Sequence, residues 1–122
     1  MDRTQAQAWL DRYVAAWRTN DPDDVAALFA EDIEYRYHPF DDPIEGGLEG
    51  VVSSWMEDPD PEGTWEAEYS VWSVDGHRVV ATGHTRYFAT EKESAKLYHN
   101  CFLIELDDDA RCSAFTEFYI RA

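Results

Sequence analysis

The sequence predicts an α+β domain in which three helices close a curved antiparallel sheet into an aromatic-lined pocket of small-molecule size. Three observations carry this. Apolar residues recur at helical spacing up to Met56, and alternating strand-like runs replace them after Thr64. Short turns, Asp75-Gly76 the strongest, separate those runs. Aromatics make up 15% of the 122 residues, with five Trp, seven Tyr and six Phe. So many amphipathic rings serve a pocket wall or a partner interface as well as a core.

Each element has its own signals. Residues 4–18 form a helix, with Trp9, Leu10, Tyr13, Val14 and Trp17 on one stripe. Asn20-Asp21-Pro22 ends it and starts a second, since Asp21 suits the N-cap, Pro22 the first turn, and Asp23 and Asp24 the positive end of the dipole. Val25, Leu28 and Phe29 mark a face of that short helix. Ile33 to Tyr37 is a strand, with Ile33, Tyr35 and Tyr37 alternating against Glu34 and Arg36, and His38-Pro39 ends it. Residues 39–47 are a loop. Leu48, Val52, Trp55 and Met56 make a third helix that Pro59 and Pro61 terminate. Strands occupy 64–74, 77–88, 96–106 and 111–120. With no linker, repeat or low-complexity stretch, residues 1–122 read as one domain.

Charge and cysteine content exclude several functions. A net charge of −16 repels phosphate backbones and anionic membranes, so neither nucleic acid nor membrane is an expected partner. The acidity fits simple solubility or a high-salt cytoplasm. No run is long enough to span a membrane, and Met1–Leu10 is too polar for a signal peptide. Cys101 and Cys112 make no disulfide framework, and a reduced, cytoplasmic chain is expected. No CxxC, HExxH, P-loop or dinucleotide fingerprint occurs, so no metal, nucleotide or redox cofactor is implied.

Turns set register, and register sets faces. With Asp75-Gly76 as a two-residue loop, Val74 pairs with His77, Tyr69 opposes Thr82, Ala67 opposes His84 and Trp65 opposes Arg86. One face then carries Trp65, Tyr69, His84, Arg86 and Phe88, while Trp72, Val74 and Cys101 point outward. With Asp108-Asp109 as the last loop, Asn100 opposes Glu117, Tyr98 opposes Tyr119 and Phe102 opposes Phe115. Cys101 then opposes Thr116, and Cys112 opposes Glu105, so the thiols do not meet. A few polar groups on an aromatic wall are how small-molecule sites are built. An Arg86–Glu117 ion pair, with His84 and Asn100 satisfying backbone groups, fits the same pattern.

Three strings within this element order resemble the nuclear-transport-factor-2-like superfamily, including its SnoaL-like polyketide cyclases. They are Arg12-Tyr13-Val14-Ala15-Ala16-Trp17, Ala27-Leu28-Phe29-Ala30-Glu31-Asp32 and Phe115-Thr116-Glu117-Phe118-Tyr119. The resemblance covers essentially the whole chain. It implies a cystatin-like α+β cone with three N-terminal helices on a mostly antiparallel sheet, a deep pocket, and a homodimer through the outer sheet face. Members include isomerases, epoxide hydrolases, dehydratases, cyclases and plain binding domains, so the fold alone selects no reaction. Similarity to the ketosteroid isomerases implies an oxyanion donor at Tyr13 and a second donor at Asn100. Their base position reads Tyr37-His38-Pro39, where His38 is able to take a proton. Similarity to the epoxide hydrolases makes Glu117 the acid of the last strand, with His84 and Arg86 near the other two catalytic places but different in identity.

Two functions are open. The first is a cofactor-independent acid–base enzyme, such as a cyclase, isomerase, hydratase or hydrolase, acting on a small apolar or aromatic ring compound. Glu117 and His84 exchange protons, Tyr13 and Asn100 stabilise an enolate or alkoxide, and Arg86 orients Glu117 or holds an acidic group. Trp65, Tyr69, Tyr98, Phe102, Phe115, Tyr119, Tyr37 and Trp55 form the wall. The second is a non-catalytic binding or dimerisation domain whose polar residues satisfy one another. An open cavity with a free Glu117 carboxyl favours the first, and a Glu117 saturated by Arg86 favours the second.

Overall fold

The computed structural model describes residues 1–122. Helix α1 spans Arg3–Thr19. Its first turn is locked by a reciprocal pair: the Asp2 side chain accepts from the Gln5 N–H, and the Gln5 side chain accepts from the Asp2 N–H. Asn20 ends it in the left-handed conformation. One stripe of α1 buries Ala6, Trp9, Leu10, Tyr13 and Ala16.

Helix α2, Pro22–Ala26, is a single turn capped by Asp21. Leu28 and Phe29, expected on this helix, lie beyond its end, and Phe29 opens strand β1, Phe29–Arg36. The Leu28 carbonyl accepts both the Trp9 indole N–H at 3.0 Å and the Cys112 N–H at 2.8 Å. Those two bonds pull the chain into the sheet before a second helical turn can form. Helix α3, Gly47–Glu57, then lies after β1. The order helix, helix, strand, helix is the expected one; the correction is that only two of the three helices have length, α2 being a single turn.

Strands β2 (Trp65–Asp75), β3 (Arg78–Tyr87), β4 (Lys96–Leu106) and β5 (Cys112–Arg121) complete a five-stranded sheet in the order β1-β5-β4-β3-β2. All pairings are antiparallel except β1 with β5. Both sheet edges are covered. The Gln7 amide donates to the Tyr69 carbonyl and accepts from the Val71 N–H, standing in for a strand beside β2. Ile44 N–H donates to the Tyr35 carbonyl beside β1. No helix is long and apolar enough to cross a membrane.

The core lies between α1 and the concave sheet face, where Trp9, Phe29, Phe102 and Phe115 are fully buried. Register differs from expectation in both hairpins. In β2–β3 the turn is Gly76-His77, with Asp75 opposite Arg78, and a bulge at Trp72 then shifts the pairing by one. Beyond the bulge Tyr69 faces Gly83, Ala67 faces Thr85 and Trp65 faces Tyr87. His84 and Arg86 are thus turned to the outer face, and Val74 turns inward against the core. A Cβ at Gly83 would overlap the Glu68 carbonyl and the Tyr69 ring, so the missing side chain lets Tyr69 lie across the strand. In β4–β5 the pairing shifts by two: Asn100 opposes Tyr119, Phe102 opposes Glu117 and Tyr98 opposes Arg121. A two-residue shift preserves faces, so Tyr98, Asn100, Phe102, Phe115, Glu117 and Tyr119 still share one. Cys101 opposes Phe118, Cys112 opposes Leu106, and both thiols are free.

Candidate active site

The concave face splits into a dry core and an open cleft of about 860 Å³. The floor of the cleft is Glu117. Its alternation on β5 points it inward, two residues beyond the buried Phe115. Among the buried residues only Thr85 and Asn100 are outright polar, and both serve this carboxylate.

Their hydrogens run in one direction. Asn100 Nδ2 donates to Glu117 Oε2 at 2.9 Å, and Thr85 Oγ1 donates to Asn100 Oδ1 at 3.0 Å. Thr85 has one hydroxyl hydrogen and has used it, so the Tyr69 hydroxyl, 2.5 Å away, donates to Thr85. The series Tyr69 to Thr85 to Asn100 to Glu117 fixes the Asn100 amide with its donor end toward the carboxylate. Asn100 and Glu117 meet diagonally across the ladder rather than as direct partners.

Glu117 forms no ion pair; the four in the molecule lie elsewhere. Burial without a counter-charge pushes its pKa up to about 7, against which the Asn100 hydrogen bond pulls down. Tyr13, Tyr35, Tyr37, Tyr69 and Tyr87 surround it. Their pKa values are all raised, chiefly by burial, with the Glu117 charge adding to each. All five remain protonated donors near neutral pH. The Tyr13 and Tyr35 hydroxyls meet at 3.5 Å. Two hydroxyls carry two hydrogens and use one between them, so one is left for an acceptor in the cleft.

The rim is built by the exposed segment around Asp60. Its Oδ2 accepts from Trp17 Nε1 at 3.1 Å and from the Tyr87 hydroxyl at 3.4 Å. Trp65 Nε1 donates to its backbone carbonyl at 3.3 Å. Trp17 stacks on Trp65 with ring centroids 3.7 Å apart. No three His, Cys, Asp or Glu side chains converge as a metal site would require.

The structure brings Tyr13, Tyr37, Trp55, Tyr69, Tyr98, Asn100, Glu117 and Tyr119 of the expected residues to one cleft. Phe102 and Phe115 lie beneath it as core, and Trp65 is buried behind Trp17. His84 and Arg86 are corrections. The Trp72 bulge places them on the outer face, where Arg86 Nε meets Glu66 Oε1 at 3.5 Å. His38 is a third correction. Tyr35 and Tyr37 alternate into the cleft, so His38 turns away to a shallow surface hollow beside His99 and Phe118. Sequence reasoning missed Thr85, Tyr35, Tyr87 and Asp60. Tyr35 was legible, since it alternates with Tyr37. Asp60 sits between two prolines, a signal of a fixed loop. Thr85 and Tyr87 were hidden by the misplaced register.

A family model described as the SnoaL-like domain matches residues 10–113. No curated protein matches the chain. Solved structures share its fold. An LEH-like epoxide hydrolase from M. tuberculosis superimposes with a TM-score of 0.70 at 18% identity, covering 97% of this chain and 84% of its own. An uncharacterised cystatin-fold protein from Novosphingobium aromaticivorans gives 0.69 at 20% identity, covering 97% and 98%. An NTF2-like protein of unknown function from Cytophaga hutchinsonii gives 0.66 at 16% identity, also covering 97% and 98%. With the matched model spanning most of the sequence, this chain belongs to the SnoaL-like family.

Proposed function

We propose that the cleft binds a small apolar ring compound and moves a proton on it without a cofactor, with Glu117 as the acid or base. The carrying observation is a carboxyl on the cleft floor, fixed by Asn100 and free of any cation. Arg86, the residue able to neutralise it, is engaged with Glu66 on the other face of the sheet. A group titrating near 7 both donates and accepts a proton at neutral pH. The spare hydrogen of the Tyr13–Tyr35 pair supplies a donor for an oxygen that gains charge in the reaction. His84 and His38 take no part, and Asn100 positions Glu117 rather than contacting the reacting oxygen. An epoxide hydrolase shares the fold, and ring opening is one of several reactions open to such an acid.

The test begins with thermal-shift screening of steroids, terpenoids and aromatic polyketides, where ligands raise the melting temperature. Compounds that bind are then assayed for conversion. Glu117→Gln is expected to abolish turnover while leaving affinity within a few-fold. Turnover unchanged in that variant overturns the reading.

A further inference from the structure

A second carboxylate in the cleft, Asp60, has no part in the proton chemistry of Glu117. Both of its side-chain donors, Trp17 Nε1 and the Tyr87 hydroxyl, land on the same oxygen, Oδ2, and Oδ1 takes none. Both donors are neutral, and no cation lies within ion-pair distance. The backbone bond from Trp65 and the Trp17–Trp65 stack hold the group where it is. It is not a solvated surface acid, because partial burial raises its pKa even against those two hydrogen bonds.

The rest of the lining points the same way. The walls are aromatic and the floor is Glu117. The only basic residues lining the cleft are Lys92 and Lys96, on and just after the connection between β3 and β4, and Lys96 Nζ is already 2.9 Å from Glu93. Arg18 lies over the Trp65 ring, 5.2 Å from its centroid, and forms no ion pair with Asp60. A half-buried carboxylate with an unused oxygen, beside aromatic rings and with no cation in ion-pair contact, lacks one kind of partner: a positively charged group arriving from outside.

We propose that Asp60 recognises an organic ammonium group at the mouth of the cleft, and that the molecule bound there is an apolar ring compound bearing a protonated amine. The inference rests on the reading of the cleft as a ligand site and deepens it. The ammonium pairs with Oδ1, aromatic walls take the ring, and the far end of the molecule approaches Glu117. Carboxylate and phosphate ligands are disfavoured by the two acids.

Three matched probes test this by titration calorimetry: 2-naphthylmethylamine, 2-naphthalenemethanol and 2-naphthoate. The amine is expected to bind on the order of tenfold tighter than the alcohol, as for a charge-assisted hydrogen bond, and the naphthoate more weakly than either. Asp60→Asn keeps an oxygen for Trp17 and Tyr87 and deletes only the charge. It is expected to bring the amine down to the alcohol's affinity while the alcohol itself is unaffected, which also shows that the variant folds. The preference is expected to survive in Glu117→Gln and to shrink with added salt. A preference retained in Asp60→Asn, or lost in Glu117→Gln instead, overturns the assignment. Equal binding of amine and alcohol by the unmodified protein overturns it while leaving the ligand site standing. Binding of no probe overturns the ligand site and the assignment together.

Discussion

On the outer face of the sheet, Arg86 meets Glu66 at 3.5 Å and Arg78 meets Glu105 at 3.2 Å, all four well exposed. On the inner face, Glu117 is largely buried and meets only an amide. A chain with ten basic and twenty-six acidic residues places its sheet ion pairs where water makes them nearly worthless, and leaves the one acid that most needs a partner without one. The proposed proton transfer rests on an acid destabilised in this way. The difference between the faces lies in solvation: exposed pairs tune little, whereas a partly desolvated carboxyl responds to every neighbour.

Four measurements sharpen or break that contrast. The largest effect belongs to the dry end of the inner face. Phe115→Ala, beneath the cleft, is expected to cost about 3–5 kcal/mol in urea unfolding. A loss below 1 kcal/mol, on the order of a surface change, would mean that the cleft floor has no rigid support.

Next comes Glu117. Its folded pKa of about 7 lies above its ordinary value of 4.5, so the folded state binds the extra proton between those pH values. The contribution of this group to stability is therefore fully present below the lower value and is lost as pH rises through the upper one, by roughly 3 kcal/mol in all. Glu117→Gln is expected to abolish that fall and to be the more stable protein at alkaline pH. Parallel stability-against-pH curves for the two proteins would show that the carboxyl is solvated after all.

Thr85→Val acts on the series that orients Asn100. It strands the Tyr69 hydroxyl and the Asn100 carbonyl, at about 1–3 kcal/mol. With nothing to hold its carbonyl, Asn100 is free to turn that oxygen toward Glu117, and the Glu117 titration, followed by NMR of the side-chain carboxyl, moves further up. Thr85→Ser is expected to restore it. An unmoved titration in Thr85→Val would reduce the series to ordinary packing.

The smallest effect is Arg86→Ala, expected within about 0.5 kcal/mol of the unmodified protein and without influence on cleft binding. A strong loss of binding would put Arg86 back inside and reverse the face assignment.

Much of the molecule was legible in the sequence, unevenly. Helix α1 declared itself through Trp9, Leu10, Tyr13 and Trp17, because a full amphipathic stripe has few alternatives. The β4–β5 face survived a wrong turn. Asp107 Oδ1 accepts from both the Asp109 and Arg111 N–H groups, and Ala110 takes a positive φ of 59°, so the loop is longer than the two residues expected. The error was two positions, and parity absorbed it. The β2–β3 turn was also misplaced by an amount that parity would have absorbed. The Trp72 bulge added one more residue and reversed every assignment on β3 beyond it, including His84 and Arg86. A bulge is set by tertiary fit, here by Arg3 bonding the Val71 carbonyl at 2.7 Å and by Gln7 bracketing the same residue. No local signal announces it. Asp60 needed the third dimension too, since its donors come from α1 and β3.

The stacked pair of Trp17 and Trp65 has a consequence for how the molecule can be watched. Two indoles 3.7 Å apart at 19° to one another form a coupled chromophore with its own near-ultraviolet circular dichroism. One of them donates its N–H to the Asp60 carboxylate, the other to the Asp60 backbone carbonyl. A change of charge or occupancy at that carboxylate therefore alters the field on one half of the pair, and the rim of the cleft carries its own optical label.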